Sequence, residues 1–96
     1  MDHDRRRSLI EALKNRRWTH LDAERAAESV AGFSQGGEGE WKVWFSKLAG
    51  KPAFYRVSRS GNEVSVYDSP FEARAQDVAN ALNELERHGP DATGTP

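Results

Sequence analysis

The chain has no cysteine, one methionine and no apolar run longer than three residues. The first absence excludes a disulfide framework, a thiol nucleophile and thiolate metal ligands. The last leaves nothing long enough to span a bilayer and no signal-peptide core, so the sequence reads as a cytoplasmic protein without a membrane partner. Its three histidines, His3, His20 and His88, show no spacing that would place two on one metal. The glycines at 36, 37 and 39 are not followed by the lysine and helix start of a phosphate loop. Ser58, Ser60, Ser65 and Ser69 lie outside any nucleophile elbow, and Asp68, placed directly before Ser69-Pro70, belongs to turn chemistry rather than to general-base catalysis. No catalytic residue, metal ligand or cofactor is therefore assigned, and the expectation is a non-catalytic binding protein.

What is present builds one small domain. Ninety-six residues suffice for a single core, and a domain of this size buries roughly 60–65% of its unfolded surface, which leaves little room for a deep cavity. Residues 89–96 carry two prolines and no large apolar side chain, which reads as a disordered tail. Residues 1–88 form the expected domain: a helical pair over 4–33, a glycine-rich connector over 34–40 and a βββα module over 41–88. The fold class is α+β, in the order ααβββα.

Net charge is −1, but it is unevenly distributed. Residues 1–20 hold six basic and three acidic groups, and residues 41–60 hold five basic groups and no acidic one. The remaining segments are acidic, so two basic patches hide behind a near-neutral total. Ten of the fourteen basic residues are arginine, a bias that suits phosphate or carboxylate recognition and equally reflects a GC-rich coding sequence.

The first helix is expected over residues 4–17, with Leu9, Ile10 and Leu13 as a narrow apolar stripe. A second, capped by Thr19 or Asp22, is expected over 21–31, with Leu21, Ala23, Ala27, Val30 and Phe33 inward and Gly32 as its stop. Strands follow over 41–47, 53–59 and 63–68, the last two joined at Gly61-Asn62 in a type II′ hairpin. Counting back from that turn pairs Arg59 with Val64, Val57 with Val66 and Tyr55 with Asp68 on one face; Arg56 with Tyr67 and Ser58 with Ser65 fall on the other. Ser69-Pro70-Phe71-Glu72 is a cap, a first-turn proline and a capping-box glutamate. Phe71, Ala75, Val78, Leu82 and Leu85 then define a helix ending at Gly89-Pro90. It should pack on Val57, Val64 and Val66, with Trp41, Val43 and Phe45 beside them.

That register collects Lys42, Trp44, Phe54, Arg56 and Tyr67 on the opposite sheet face, where rings could stack unpaired bases while cations hold phosphates. A second basic feature is the helical face carrying Arg5, Arg6, Arg7, Arg16 and Arg17, which could follow a phosphate backbone or pair with the acidic second helix. The apolar stripes of the N-terminal helices must also be buried. The simplest solution lays them over the aromatic face as a helix, sheet, helix sandwich; the alternatives leave that face open or bury it against a second copy.

Helix, three antiparallel strands and helix, over roughly residues 20–88, resembles the order of double-stranded-RNA-binding domains. Tyr67-Asp68-Ser69-Pro70-Phe71-Glu72-Ala73 is similar to the strand, cap and helix of plant-type AP2 DNA-binding domains. Both resemblances are of topology. The last helix starts with acidic Ser69-Pro70-Phe71-Glu72, where double-stranded-RNA binders place phosphate-binding lysines. The expected function is a nucleic-acid-binding accessory or regulatory protein, with a protein-interaction module (an inhibitor or adaptor) as the alternative. Candidate partners are a nucleic acid, a protein or a second copy in a homodimer.

Overall fold

A computed structural model describes residues 3–31, 40–60 and 64–94, with side chains over 5–30, 40–60 and 64–86. The order is α1 (His3–Lys14), α2 (His20–Ala31), β1 (Trp41–Ser46), β2 (Phe54–Arg59), β3 (Tyr67–Ser69) and α3 (Glu72–Gly94). This is the expected ααβββα succession, with a three-stranded antiparallel sheet in the order β1-β2-β3 and α3 packed against it.

Helix α1 stops at Lys14, three residues before its expected end. The N–H of Trp18 reaches back to the carbonyl of Leu13 (3.2 Å) and that of Arg17 to Lys14 (3.0 Å), the paired bonds of a Schellman closure. Arg17 takes the left-handed position (φ 71°) that glycine fills most easily, and the reversal folds Trp18 back onto the core with Leu13. Thr19 then caps α2 by accepting a hydrogen bond from the N–H of Asp22 at 3.2 Å. Ala23, Ala26, Ala27 and Val30 are buried, but Leu21, in the first turn of α2, is 54% exposed. Gly32 and Phe33 lie outside the described residues.

Strand β1 pairs with β2 from Trp41 opposite Arg59 to Ser46 opposite Phe54. The connection turns tightly, with Lys51 N–H bonded to the Leu48 carbonyl (3.0 Å) and Gly50 at φ 74°, where the third position of a type II turn demands it. Gly61-Asn62 lies outside the described residues, and β3 is shorter than expected, beginning at Tyr67 rather than Glu63. Its register is Val57 opposite Tyr67, Arg56 opposite Asp68 and Tyr55 opposite Ser69, one residue away from the count based on the hairpin.

The physical reason is a bulge. Val66 donates its N–H to the Val57 carbonyl at 2.9 Å while Tyr67 is the registered partner of the same residue, so two residues oppose one. Val66 and Tyr67 therefore both face the helices, and every later side chain of β3 is reversed from its expected side. Val64 precedes the strand and is 49% exposed rather than buried under α3 as expected.

The helices all pack on the face carrying Trp41, Val43, Tyr55, Val57 and Tyr67. Helix α3 lies against the three strands, α1 packs on α2 and α3, and α2 meets the sheet along β3. One buried cluster joins Leu9, Leu13, Ala27, Val30, Trp41, Val57, Val66, Ala75, Val78 and Leu82. Each large aliphatic member contributes roughly 1.5–3 kcal/mol. The helix, sheet, helix sandwich is thus not formed: the apolar stripes of α1 and α2 find burial beside α3, which has enough small residues (Ala75, Ala79, Ala81) for close approach.

Two aromatics expected inside are outside. Phe71 precedes α3 and is 63% exposed, its N–H held by the Ser69 hydroxyl at 3.0 Å, and Phe45 is 55% exposed near the end of β1, packing edge-on against Tyr55. Helix α3 also continues past Gly89-Pro90 to Gly94 rather than stopping there, so residues 89–94 extend the helix in place of the expected tail. A proline inside a helix has no N–H for the carbonyl four residues back, and its ring crowds that carbonyl, at a cost of about 3 kcal/mol.

A polar clamp fixes the sheet to α3. The Asn83 amide accepts from the N–H of Trp41 (2.8 Å) and donates to its carbonyl (3.0 Å), standing in for a neighbouring strand. Arg59, 7% exposed, grips Glu86 with both guanidinium nitrogens and lies 4.5 Å over the Trp41 ring. Arg5 adds a longer contact to Glu86, 3.3 Å, from α1. Burial pushes the Glu86 carboxyl up, but the Arg59 guanidinium, with the Trp41 indole and Arg5, outweighs it and holds the group below its ordinary 4.5.

Two outcomes follow from these local structures. Arg17→Gly should raise unfolding stability by about 0.5–1 kcal/mol in urea titration, because glycine adopts the left-handed position without strain; a loss would contradict the cap. Since the folded pKa of Glu86 lies below its unfolded value, the clamp is at full strength above pH about 4.5 and is lost as pH falls through the folded value. Glu86→Gln should destabilise the fold at neutral pH, by about 1–3 kcal/mol for the charge-assisted bonds to Arg59 that it removes, and flatten the loss of stability on acidification. An unchanged acid slope would show that the clamp carries no such contribution.

Candidate nucleic-acid interface

The pairing of β1 with β2 sets Lys42 beside Ser58, Trp44 beside Arg56 and Ser46 beside Phe54 on the face that the helices leave free. The indole N–H of Trp44 donates to the Ser58 hydroxyl at 2.8 Å, and the Arg56 guanidinium lies 5.5 Å from the Trp44 ring centre. These contacts lay the ring across the sheet, burying Ser58 while leaving Trp44 itself 37% exposed. A ring fixed in orientation loses little freedom when something stacks on it. Phe54 is half-buried and Lys42 exposed on the same surface.

Tyr67 is not there. The bulge turns it inward, where its ring sits 6.3 Å from that of Trp18 and where burial, working against Ser69 and Arg74, raises its phenol above the ordinary 10.0. Asp68 takes its place on the outer face, 3.8 Å from Arg56 and accepting a 2.5 Å bond from the Ser65 hydroxyl. The face therefore keeps two aromatics and two cations of the expected set, and gains one carboxylate that partly neutralises Arg56.

The arginine-rich helix is largely internal in its electrostatics. Arg5 binds Glu86, Arg6 binds Glu28 and Arg16 binds Glu84 at 3.0 Å, so three of the five arginines hold α1 to α2 and α3. Arg7 and Arg17 are exposed but ten positions apart in sequence, Arg7 within α1 and Arg17 in the turn that follows it. Similar pairing ties Arg74 to Asp22 and places its guanidinium 4.7 Å over Trp18, whose indole N–H donates to Asp77 at 2.9 Å. The hydrogen bond from Arg74 lowers the Asp22 carboxyl from its ordinary 3.8.

Two exposed lysines that the strand pattern did not place at the site, Lys47 and Lys51, lie in the β1–β2 connection that continues from Ser46. The signal for them was present in the acid-free run of residues 41–60. Among the described residues no group of three or more His, Cys, Asp or Glu could hold a metal, and no helix is long and apolar enough to cross a membrane. His20 is exposed, 3.7 Å from Glu24 in the same helix. Comparison of the chain with family models, with curated proteins and with solved structures gives no match.

The difference between the two β1 tryptophans is measurable. Trp41→Ala should cost about 3–5 kcal/mol, as a buried aromatic does. Trp44→Ala should cost no more than about 1.5 kcal/mol, chiefly the lost bond to Ser58. Equal losses in urea titration would mean that the outer face is covered.

Proposed function

We propose that the chain is a non-catalytic, cytoplasmic nucleic-acid-binding accessory protein that takes single strands on the outer sheet face. The observation that carries this reading is an exposed indole, pre-oriented by Ser58 and Arg56, within a twenty-residue run that has five basic residues and no acidic one. Trp44 and Phe54 supply stacking surfaces, each worth roughly 1–3 kcal/mol per base and tolerant of sequence. Lys42, Lys47, Lys51 and Arg56 supply phosphate contacts. A flat face with two rings suits unpaired bases, since a duplex offers its phosphates but hides its base faces. The arginines of α1 are assigned a minor part, because most of their charge is neutralised within the fold.

Three or four phosphate contacts give a slope of about −2 to −3 for log affinity against log salt on a single strand. Fluorescence anisotropy of a labelled oligothymidine should show this slope between about 50 and 300 mM salt. Trp44→Ala should weaken binding about five- to a hundredfold, whereas Arg7→Ala should change it less than about twofold. A flat salt response, or indifference to Trp44→Ala, would remove the reading.

A further inference from the structure

The two edges of the sheet are treated differently. Along β3, α2 is packed close, and the Ser29 hydroxyl donates to the Val66 carbonyl at 2.8 Å. Along β1, the direction of the backbone groups follows from one bond. Ser60 donates its N–H to the Glu40 carbonyl at 2.9 Å, so alternation turns the backbone groups of Lys42, Trp44 and Ser46 towards β2 and those of Trp41, Val43 and Phe45 outwards. Asn83 satisfies the outward pair of Trp41. Among the described residues nothing reaches the outward N–H and C=O of Val43 and Phe45.

The surroundings of this gap are specific. Phe45 is 55% exposed on one side of the strand, Trp44 37% exposed on the other, and Leu48 64% exposed just beyond the strand end. Lys42, Lys47 and Lys51 are exposed along the strand and its following turn, with no acidic residue from 41 to 60. Lysines on an edge oppose pairing with a second copy, which would bring two such sets together. They favour an acidic strand.

We infer that the β1 edge accepts one extended acidic segment of a partner protein as a fourth strand. The segment exchanges main-chain hydrogen bonds with Val43 and Phe45, which give affinity, and its alternating side chains give specificity. Residues opposite Val43 and Phe45 share their side of the sheet and are apolar, packing on the exposed Phe45 ring. Residues opposite Lys42 and Ser46 share the outer side and are acidic. The pairing ends at Trp41, where Asn83 occupies the next hydrogen-bonding position. The main-chain groups that bind the segment belong to the edge and not to the rings of the face, so this inference does not rest on the single-strand reading, although Lys42, Lys47 and Lys51 serve both.

The probe is a capped nonapeptide of alternating glutamate and valine, with a lysine and valine counterpart, titrated against the full chain by calorimetry at low salt. The glutamate peptide should bind at least about tenfold tighter than the lysine peptide. N-methylation of the peptide on the residues that face β1 should abolish binding, and methylation on the residues facing away should leave it intact, a readout that needs no change in the protein. Phe45→Pro, which removes an outward N–H and leaves the β1–β2 ladder complete, should weaken peptide binding about tenfold or more while oligonucleotide affinity changes little. Phe54→Ala should do the reverse, so failure of one reading is separable from failure of the other. Equal binding of the two peptides, indifference to the position of methylation, or a dimer of the chain in sedimentation that Phe45→Pro dissolves would overturn the inference.

Discussion

The gripping of Glu86 by Arg59, over the ring of Trp41 and beside the Asn83 amide, is the contact on which the rest of the arrangement depends. It joins the end of β2, the start of β1 and the middle of α3, and Arg5 extends it to α1. A buried guanidinium is tolerable only with its counter-ion and a ring to lie on, so the sheet can dock on α3 in one orientation. That orientation turns Trp41, Val43, Val57 and Tyr67 to the helices. By the two-residue period of a strand it turns Lys42, Trp44 and Arg56 away.

The same clamp explains why the chain does not form three layers. With α3 fixed across the sheet, α1 and α2 gain more by burying their stripes beside it than by crossing to a face holding lysine and arginine. Their basic residues follow: Arg5, Arg6 and Arg16 meet acidic partners on α3 and α2, so the charge that looked like a patch in the sequence becomes internal attachment. What remains outward is concentrated on β1, β2 and the turn between them. Among the described residues the near-neutral chain thereby keeps a basic, aromatic surface and a strand edge with unpaired backbone groups, both on β1.

Much of this was legible from local chemistry. Thr19 as a cap, the alternation of β1 and the run Ala75, Val78, Leu82 each reflect forces acting within a few residues, and all are where the sequence puts them; Ser69 instead closes a turn on the Phe71 N–H, and α3 starts at Glu72 rather than at Pro70. The failures came where distant groups decide. Counting from Gly61-Asn62 cannot reveal an added residue at Val66, and that bulge alone moved Tyr67 inward and brought Asp68 out. Leu21, Phe45 and Phe71 have the right periodicity for burial but sit at or next to element ends and are more than half exposed. The partners of the arginines were unreadable for the same reason, since Glu84 and Glu86 are about seventy to eighty positions away in sequence. Arg17 in a left-handed position and Asn83 acting as a strand neighbour left no local signal at all.

The most direct test of the account is backbone and side-chain chemical-shift mapping of the full chain by NMR during titration with an unlabelled single-stranded oligonucleotide. Shifts concentrated on Lys42, Trp44, Phe54 and Arg56, with the Trp44 indole signal moving and those of Trp18 and Trp41 still, are what an open stacking face requires. Shifts centred on Arg5, Arg6 and Arg7, or none at saturating oligonucleotide, would contradict it.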